Sequence, residues 1–148
     1  MRCGAAIVIA LGLACLAPLC ALADTRVSAN DLRFSAAGET EFRDGQALLS
    51  REPLDWESDT AWRLYVESLD LSLGLSRDGR YEKALADLQF RVSGDSQWWS
   101  LRTEPVFIAA GDAPGRGTLI VDWRMLLSWG RDRPGTYRAR LRFTIEQP

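Results

Sequence analysis

Histidine is absent from this 148-residue chain, lysine occurs once (Lys83), and the three cysteines, Cys3, Cys15 and Cys20, all fall in the first 20 residues. Without histidine there is no imidazole base, no Ser-His or Cys-His nucleophile pair, and no source of the commonest zinc and haem ligand. The 18 basic and 20 acidic side chains are interspersed and sum to a net charge of −2, so nothing marks a nucleic-acid surface. The composition, 47% hydrophobic and 26% charged, is that of a globular chain, which excludes disorder and a multi-span membrane protein.

Residues 1–23 read as an address. A single cation, Arg2, precedes an uncharged apolar run from Ala5 to Leu22, broken by Gly12 and Pro18. The run closes on Ala21-Leu22-Ala23 before Asp24, a small-x-small cleavage pattern, which predicts a cleaved secretory signal rather than a membrane helix. Cys20 and Cys15 lack the flanking pattern of a lipidation site. The domain division is therefore 1–23 as signal peptide and 24–148 as one domain. Cleavage removes all three cysteines and leaves 148 − 23 = 125 residues with 17 basic and 20 acidic side chains. A chain of that length builds a core without disulfides.

After Ala23 the dominant period is two. Leu119, Val121, Trp123, Met125, Leu127 and Trp129 alternate with Thr118, Asp122, Arg124 and Ser128, predicting a half-buried strand over Gly117–Trp129. The turn chemistry of residues 130–135 follows, then Tyr137, Ala139, Leu141, Phe143 and Ile145 alternate with Arg138, Arg140, Arg142 and Thr144. The two runs together predict an antiparallel hairpin. Shorter strands are expected at Trp62–Val66, Leu88–Val92, Val106–Ala110 and Val27–Phe34, with a weaker one at Ala47–Ser50. Gln97–Thr103 is a further candidate, and Tyr81–Asp87 has helical composition but is too short for a major helix. The expected fold is all-β, an antiparallel β-sandwich of about 7–9 strands, Ig-like or similar, with a closed barrel as the alternative.

Most candidate chemistry fails. With no histidine, and no cysteine after the signal, transition-metal sites are excluded. Asp55, Glu57 and Asp59 fall at i, i+2 and i+4, and read as a solvated acidic edge; the glycine pattern of an EF-hand loop is missing. Gly111–Gly117 is glycine-rich but lacks the Lys-Ser/Thr end of a phosphate loop and leads into a strand, so it reads as a turn. No cofactor and no enzymatic activity are expected. Tryptophan is the enriched functional type, with six. Trp62, Trp123 and Trp129 lie on apolar faces and are expected in the core. Trp98 and Trp99 are adjacent, so a strand turns one inward and one outward, which makes this pair the candidate ligand-binding residues.

Two resemblances bear on function. Trp62-Arg63-Leu64, the glycine turn before Thr118 and the Gly135-Thr136-Tyr137 strand opening resemble the bacterial WxL cell-surface domain, with Phe143-Thr144-Ile145 in place of its second Trp-x-Leu. That resemblance implies a secreted module associated with the cell surface or its wall polymer. The final strand, alternating from Gly135, is also similar to that of chaperone-usher pilin subunits, although Gln147 replaces their penultimate tyrosine. That likeness implies a fibre subunit assembling by strand addition. The combined expectation is an exported, non-enzymatic interaction module, periplasmic or at the cell surface. Its expected partner is a wall polymer or another surface protein, with no nucleic acid and no membrane span after cleavage. A fibre subunit or a small carbohydrate-binding module is the alternative.

Overall fold

The computed structural model describes residues 26–29, 42–43, 48–133 and 135–147. The expected signal peptide and most of the predicted Val27–Phe34 strand lie outside them. The described residues hold ten strands: β1 (Arg26–Ala29), β2 (Leu48–Ser58), β3 (Trp62–Ser68), β4 (Ser72–Leu75), β5 (Glu82–Ala84), β6 (Leu88–Val92), β7 (Trp99–Ser100), β8 (Val106–Gly111), β9 (Gly115–Met125) and β10 (Leu141–Glu146). They form a five-stranded sheet in the order β1-β2-β9-β6-β7, a three-stranded sheet β10-β3-β8, and the β4-β5 hairpin. Every pairing is antiparallel. One apolar cluster joins Leu54, Phe90, Val121 and Trp123 of the first sheet to Trp62, Leu64, Val66 and Ile108 of the second. This is the all-β sandwich that the alternation implies, with the short strands β4, β5 and β7 taking the number above nine.

The expected hairpin between the last two long strands does not form. β9 pairs with β2 and β6, whereas β10 pairs with β3 in the opposite sheet. Alternation reports which face of a strand is buried and says nothing of its neighbour. Residues 126–133 and 135–140 instead lie across the sandwich, fixed by backbone bonds from Leu126 N–H to the Asp87 carbonyl and from Arg138 N–H to the Leu73 carbonyl. β9 also stops at Met125. There the Leu126 carbonyl accepts from Lys83, and the chain turns through Ser128–Asp132, whose N–H groups at Arg131 and Asp132 both reach the Ser128 carbonyl. Trp129 is thereby lost to the core and is 66% exposed.

Other differences are smaller. The weak Ala47–Ser50 candidate is the start of the 11-residue β2. Proline and four charges in the middle of β2 disguise it, and Pro53 is tolerated because β1 pairs only with residues 54–57. β4 shows no alternation because Ser72, Gly74 and Ser76 flank a single buried leucine, Leu73. Tyr81–Asp87 holds β5 and a single 3-10 turn, Leu85–Asp87, rather than a helix. The Gly111–Gly117 turn narrows to residues 112–114, because its glycines end β8 and begin β9.

Candidate functional site

β10 is the last strand of its sheet and has β3 as its one partner among the described residues. Its register pairs Arg142 with Glu67 and Thr144 with Tyr65, and the bond from Leu69 N–H to the Arg140 carbonyl identifies these as the mutually hydrogen-bonded pairs. The backbone groups of Leu141, Phe143 and Ile145 therefore point away from β3, along an edge that no described strand pairs with and that faces β1. The side chains of these three are half-buried and pack against the core. At about 3.4 Å per residue the edge runs for ~20 Å.

Beside that edge lies an open groove of about 910 Å³, whose other wall is the β1–β2–β9 end of the five-stranded sheet. Val27, Trp56, Phe143 and Ile145 give it an apolar lining, while Asp55, Glu57 and Arg116 stand at its rim. The local sequence explains the shape. Trp56 lies over β9 where glycines leave space: a Cβ at Gly117 would stand 3.3 Å from its Nε1, and one at Gly115 3.4 Å from its ring. Trp56 in turn stacks on Trp62, with ring centroids 4.1 Å apart. Asp55 and Glu57 project outward from β2, with Asp55 accepting from the Thr118 hydroxyl at 2.6 Å, so the acidic trio reads as a solvated edge here too.

The residues singled out from the sequence fall into three places. Trp62 and Leu64 are buried in the core, and Phe143 and Ile145 line the groove. Gly135 bridges to Ser76, where a Cβ would approach the Ser76 Cα to 3.0 Å. Tyr137 donates its hydroxyl to the Arg133 carbonyl at 2.6 Å. Trp98 and Trp99 lie at the opposite side of the molecule from the groove, at the β6–β7 edge of the five-stranded sheet. Trp99 is 44% exposed, whereas Trp98 is half-buried with the guanidiniums of Arg91 and Arg124 at 4.5 and 4.3 Å from its ring centroid. The ring of Trp98 is thus already engaged.

Sequence reasoning missed Lys83, the one lysine. Its side chain is fully buried, and its ammonium donates to Asp132 Oδ2 at 2.7 Å, the Leu126 carbonyl at 2.9 Å and Asp87 Oδ2 at 3.2 Å. Tyr81 donates to the other Asp132 oxygen at 2.7 Å, and Arg131 caps Asp87 at 2.7 Å. Burial, the hydrogen bond to Asp132 and the charge of Asp132 push the Tyr81 phenol up to about 12. A phenol whose folded value is raised stabilises the fold below its ordinary value of about 10, and that contribution is lost as pH rises through the folded value. Absorbance titration at alkaline pH is expected to show one tyrosine ionising near 12, with stability falling between about pH 10 and 12. A Tyr81 midpoint near 10 counts against the network.

No family model matches the sequence, and no curated protein is significantly similar to it. Among solved structures, the fold is similar to a chain of the CsuC–CsuE chaperone–tip adhesion subunit pre-assembly complex from the archaic chaperone-usher Csu pili of Acinetobacter baumannii. The TM-score is 0.50 at 14% identity, over 84% of this chain and 40% of that one. At that identity the likeness is one of fold. This chain spans less than half the length of the chain it matches. Among the described residues no helix is long and apolar enough to cross a membrane.

Proposed function

We propose that this chain is an exported, non-catalytic β-sandwich subunit of a surface fibre, which binds its neighbour by accepting an extended strand along the free edge of β10. The observation that carries this reading is the edge itself: three residues with outward backbone groups beside an apolar groove lined by Val27, Trp56, Phe143 and Ile145. An uncovered edge invites pairing with another chain, and native proteins normally blunt or cover one. Backbone hydrogen bonds supply affinity in such an addition, and alternate side chains entering the groove supply specificity. The Csu complex, which unites a chaperone with a pilus subunit, supports a periplasmic or surface setting through the shared fold. The wall-polymer reading suggested by Trp62-Arg63-Leu64 has less behind it, since Trp62 and Leu64 are 5% and 0% exposed and offer a ligand no surface.

Hydrogen exchange tests the proposal directly. In the chain alone, the amides of Leu141, Phe143 and Ile145 are expected to exchange about tenfold or more faster than those of Arg142 and Thr144. Adding a short peptide of alternating valine and threonine should protect the three fast amides, and Phe143→Asp should abolish that protection. Edge amides already protected in the isolated monomer, or unaffected by the peptide, would sink strand acceptance.

A further inference from the structure

The outer face of the five-stranded sheet carries a second feature, remote from the groove and independent of strand acceptance. Its register sets Arg51 of β2 and Arg91 of β6 on either side of Asp122 of β9, with Arg124 two residues further along β9. With strands about 4.8 Å apart, the Arg51 and Arg91 backbones stand ~10 Å from each other. Asp122 serves both neighbours, accepting Nε of Arg51 at 2.9 Å and Nε of Arg91 at 3.3 Å. Arg124 donates its Nε to the neutral Gln89 Oε1 at 2.8 Å, and among the described residues no carboxylate pairs with it. Burial and the charge of nearby Arg91 both push the Arg124 pKa down, so this cation is held in place at a cost. Trp98 holds Arg91 and Arg124 together by stacking against both. Next to them is a hollow of about 390 Å³ lined by Ser50, Arg51, Arg91, Trp98 and Asp122.

We propose that this face binds an acidic polysaccharide, the carboxylate of one sugar ring being taken by Arg124 and Arg91 while the ring hydroxyls meet Asp122 and Gln89. The charge balance carries the argument. Arg51 and Arg91 share Asp122 while Arg124 has only the neutral Gln89 beside it, and an incoming carboxylate supplies the missing anion where Arg91 and Arg124 repel. A guanidinium laid against an indole presents its N–H edge in its own plane, the geometry that matches a carboxylate fork. Arg91 also donates Nη1 to the Asp95 carbonyl at 2.9 Å, so the fork falls mainly to Arg124. The neighbouring polar groups are a mixture of acceptors and hydroxyls, which fits a sugar better than an apolar peptide. The negative net charge of the whole chain opposes any long polyanion, the acidic polysaccharide included, so attraction has to be local.

The probe is an oligogalacturonate, with its fully methyl-esterified counterpart as the uncharged control, titrated calorimetrically into the mature chain. The acidic oligomer is expected to bind with an affinity that falls as salt rises, and the ester is expected to be silent. Arg124→Gln should weaken binding by about tenfold or more. Arg51→Gln is a second variant that tests the same face from an exposed position. Arg63→Gln, an equal charge change at an exposed position of the other sheet, should leave binding unchanged. Absence of binding by the acidic oligomer overturns the proposal. So does equal binding of the ester, an equal loss in Arg63→Gln and Arg124→Gln, or tighter binding of a short DNA duplex than of the sugar acid.

Discussion

Replacing Lys83 with methionine is expected to lower stability by about 3–5 kcal/mol, because it leaves the buried Asp132 carboxylate without its ammonium, whereas Asp87 keeps Arg131. For a domain of this size that corresponds to a fall of roughly 10–20 °C in the melting midpoint. Methionine fills much of the lysine volume, so the loss reports on charge rather than on a cavity. The Lys83 side chain is wholly buried and Asp132 is 1% exposed, so water cannot replace the missing ammonium. The pH dependence gives a second, independent signature. Burial alone would raise the Asp132 carboxyl, but hydrogen bonds from Lys83, Tyr81 and the Ser128 N–H outweigh it and hold the pKa below the ordinary value. A carboxylate lowered in this way stabilises the fold above its unfolded pKa of about 3.9, and the contribution is lost as pH falls through the folded value. The unaltered chain should therefore lose stability below about pH 4. In Lys83→Met burial dominates at Asp132, and acidification through the same range should cost less or even help. Thermal melts between pH 3 and 7 on both proteins check this. A loss under ~1 kcal/mol at neutral pH would mean that the ion cluster is not a buried one.

That cluster also explains why the path of the chain was not legible from alternation. Lys83 ties β5 and the Leu85–Asp87 turn to Leu126 and Asp132, at the start of the crossing that delivers β10 to the opposite sheet. A hydrophobic pattern contains no term for such a contact, because two of the acceptors lie 43 and 49 residues from Lys83 and all of them are carboxylate or backbone oxygens. A lone lysine among arginines was the available signal: an ammonium is a compact donor with three bonds to make, and here three acceptors meet it. The faces were readable for the same reason the pairing was not. Trp62, Leu64 and Val66, or Leu88 and Phe90, repeat every second residue whichever strand lies alongside. Of the groove's lining, Phe143 and Ile145 stand out in the sequence only as alternating positions of the last strand. Trp56 does not stand out, since it sits among Asp55, Glu57 and Asp59 and its face is set by glycines 59 and 61 residues later. Trp99 begins the two-residue β7 and Trp98 lies just outside it, neither ring being buried, and the cations that engage Trp98 come from β6 and β9, which no local spacing reveals.

The second large effect is expected where β8 meets β3. Trp62 and Gly111 are directly opposite in the register, and a Cβ built on Gly111 would stand 2.5 Å from Trp62 Nε1 and 2.8 Å from its Cε2. Those are atoms of a rigid ring that is 5% exposed and stacked on Trp56, so it has little room to retreat. Gly111→Ala is therefore expected to cost about 1–3 kcal/mol through overpacking. Trp62→Ala removes the ring itself and should cost about 3–5 kcal/mol, through lost burial and the cavity left behind. Combining them distinguishes this explanation from a general weakening of the sheet. Once the indole is gone, the added methyl meets open space, so the double variant should lose at least ~1 kcal/mol less than the two single losses predict. Denaturant unfolding of the four proteins measures the cycle, and strict additivity would show that Gly111 and Trp62 do not share a contact. The consequence reaches the groove, because Trp62 supports Trp56 and Trp56 lines the space beside β10. Any displacement of the indole pair should weaken protection of the Phe143 and Ile145 amides by an added strand, while leaving acidic sugar binding on the far face of the sheet intact.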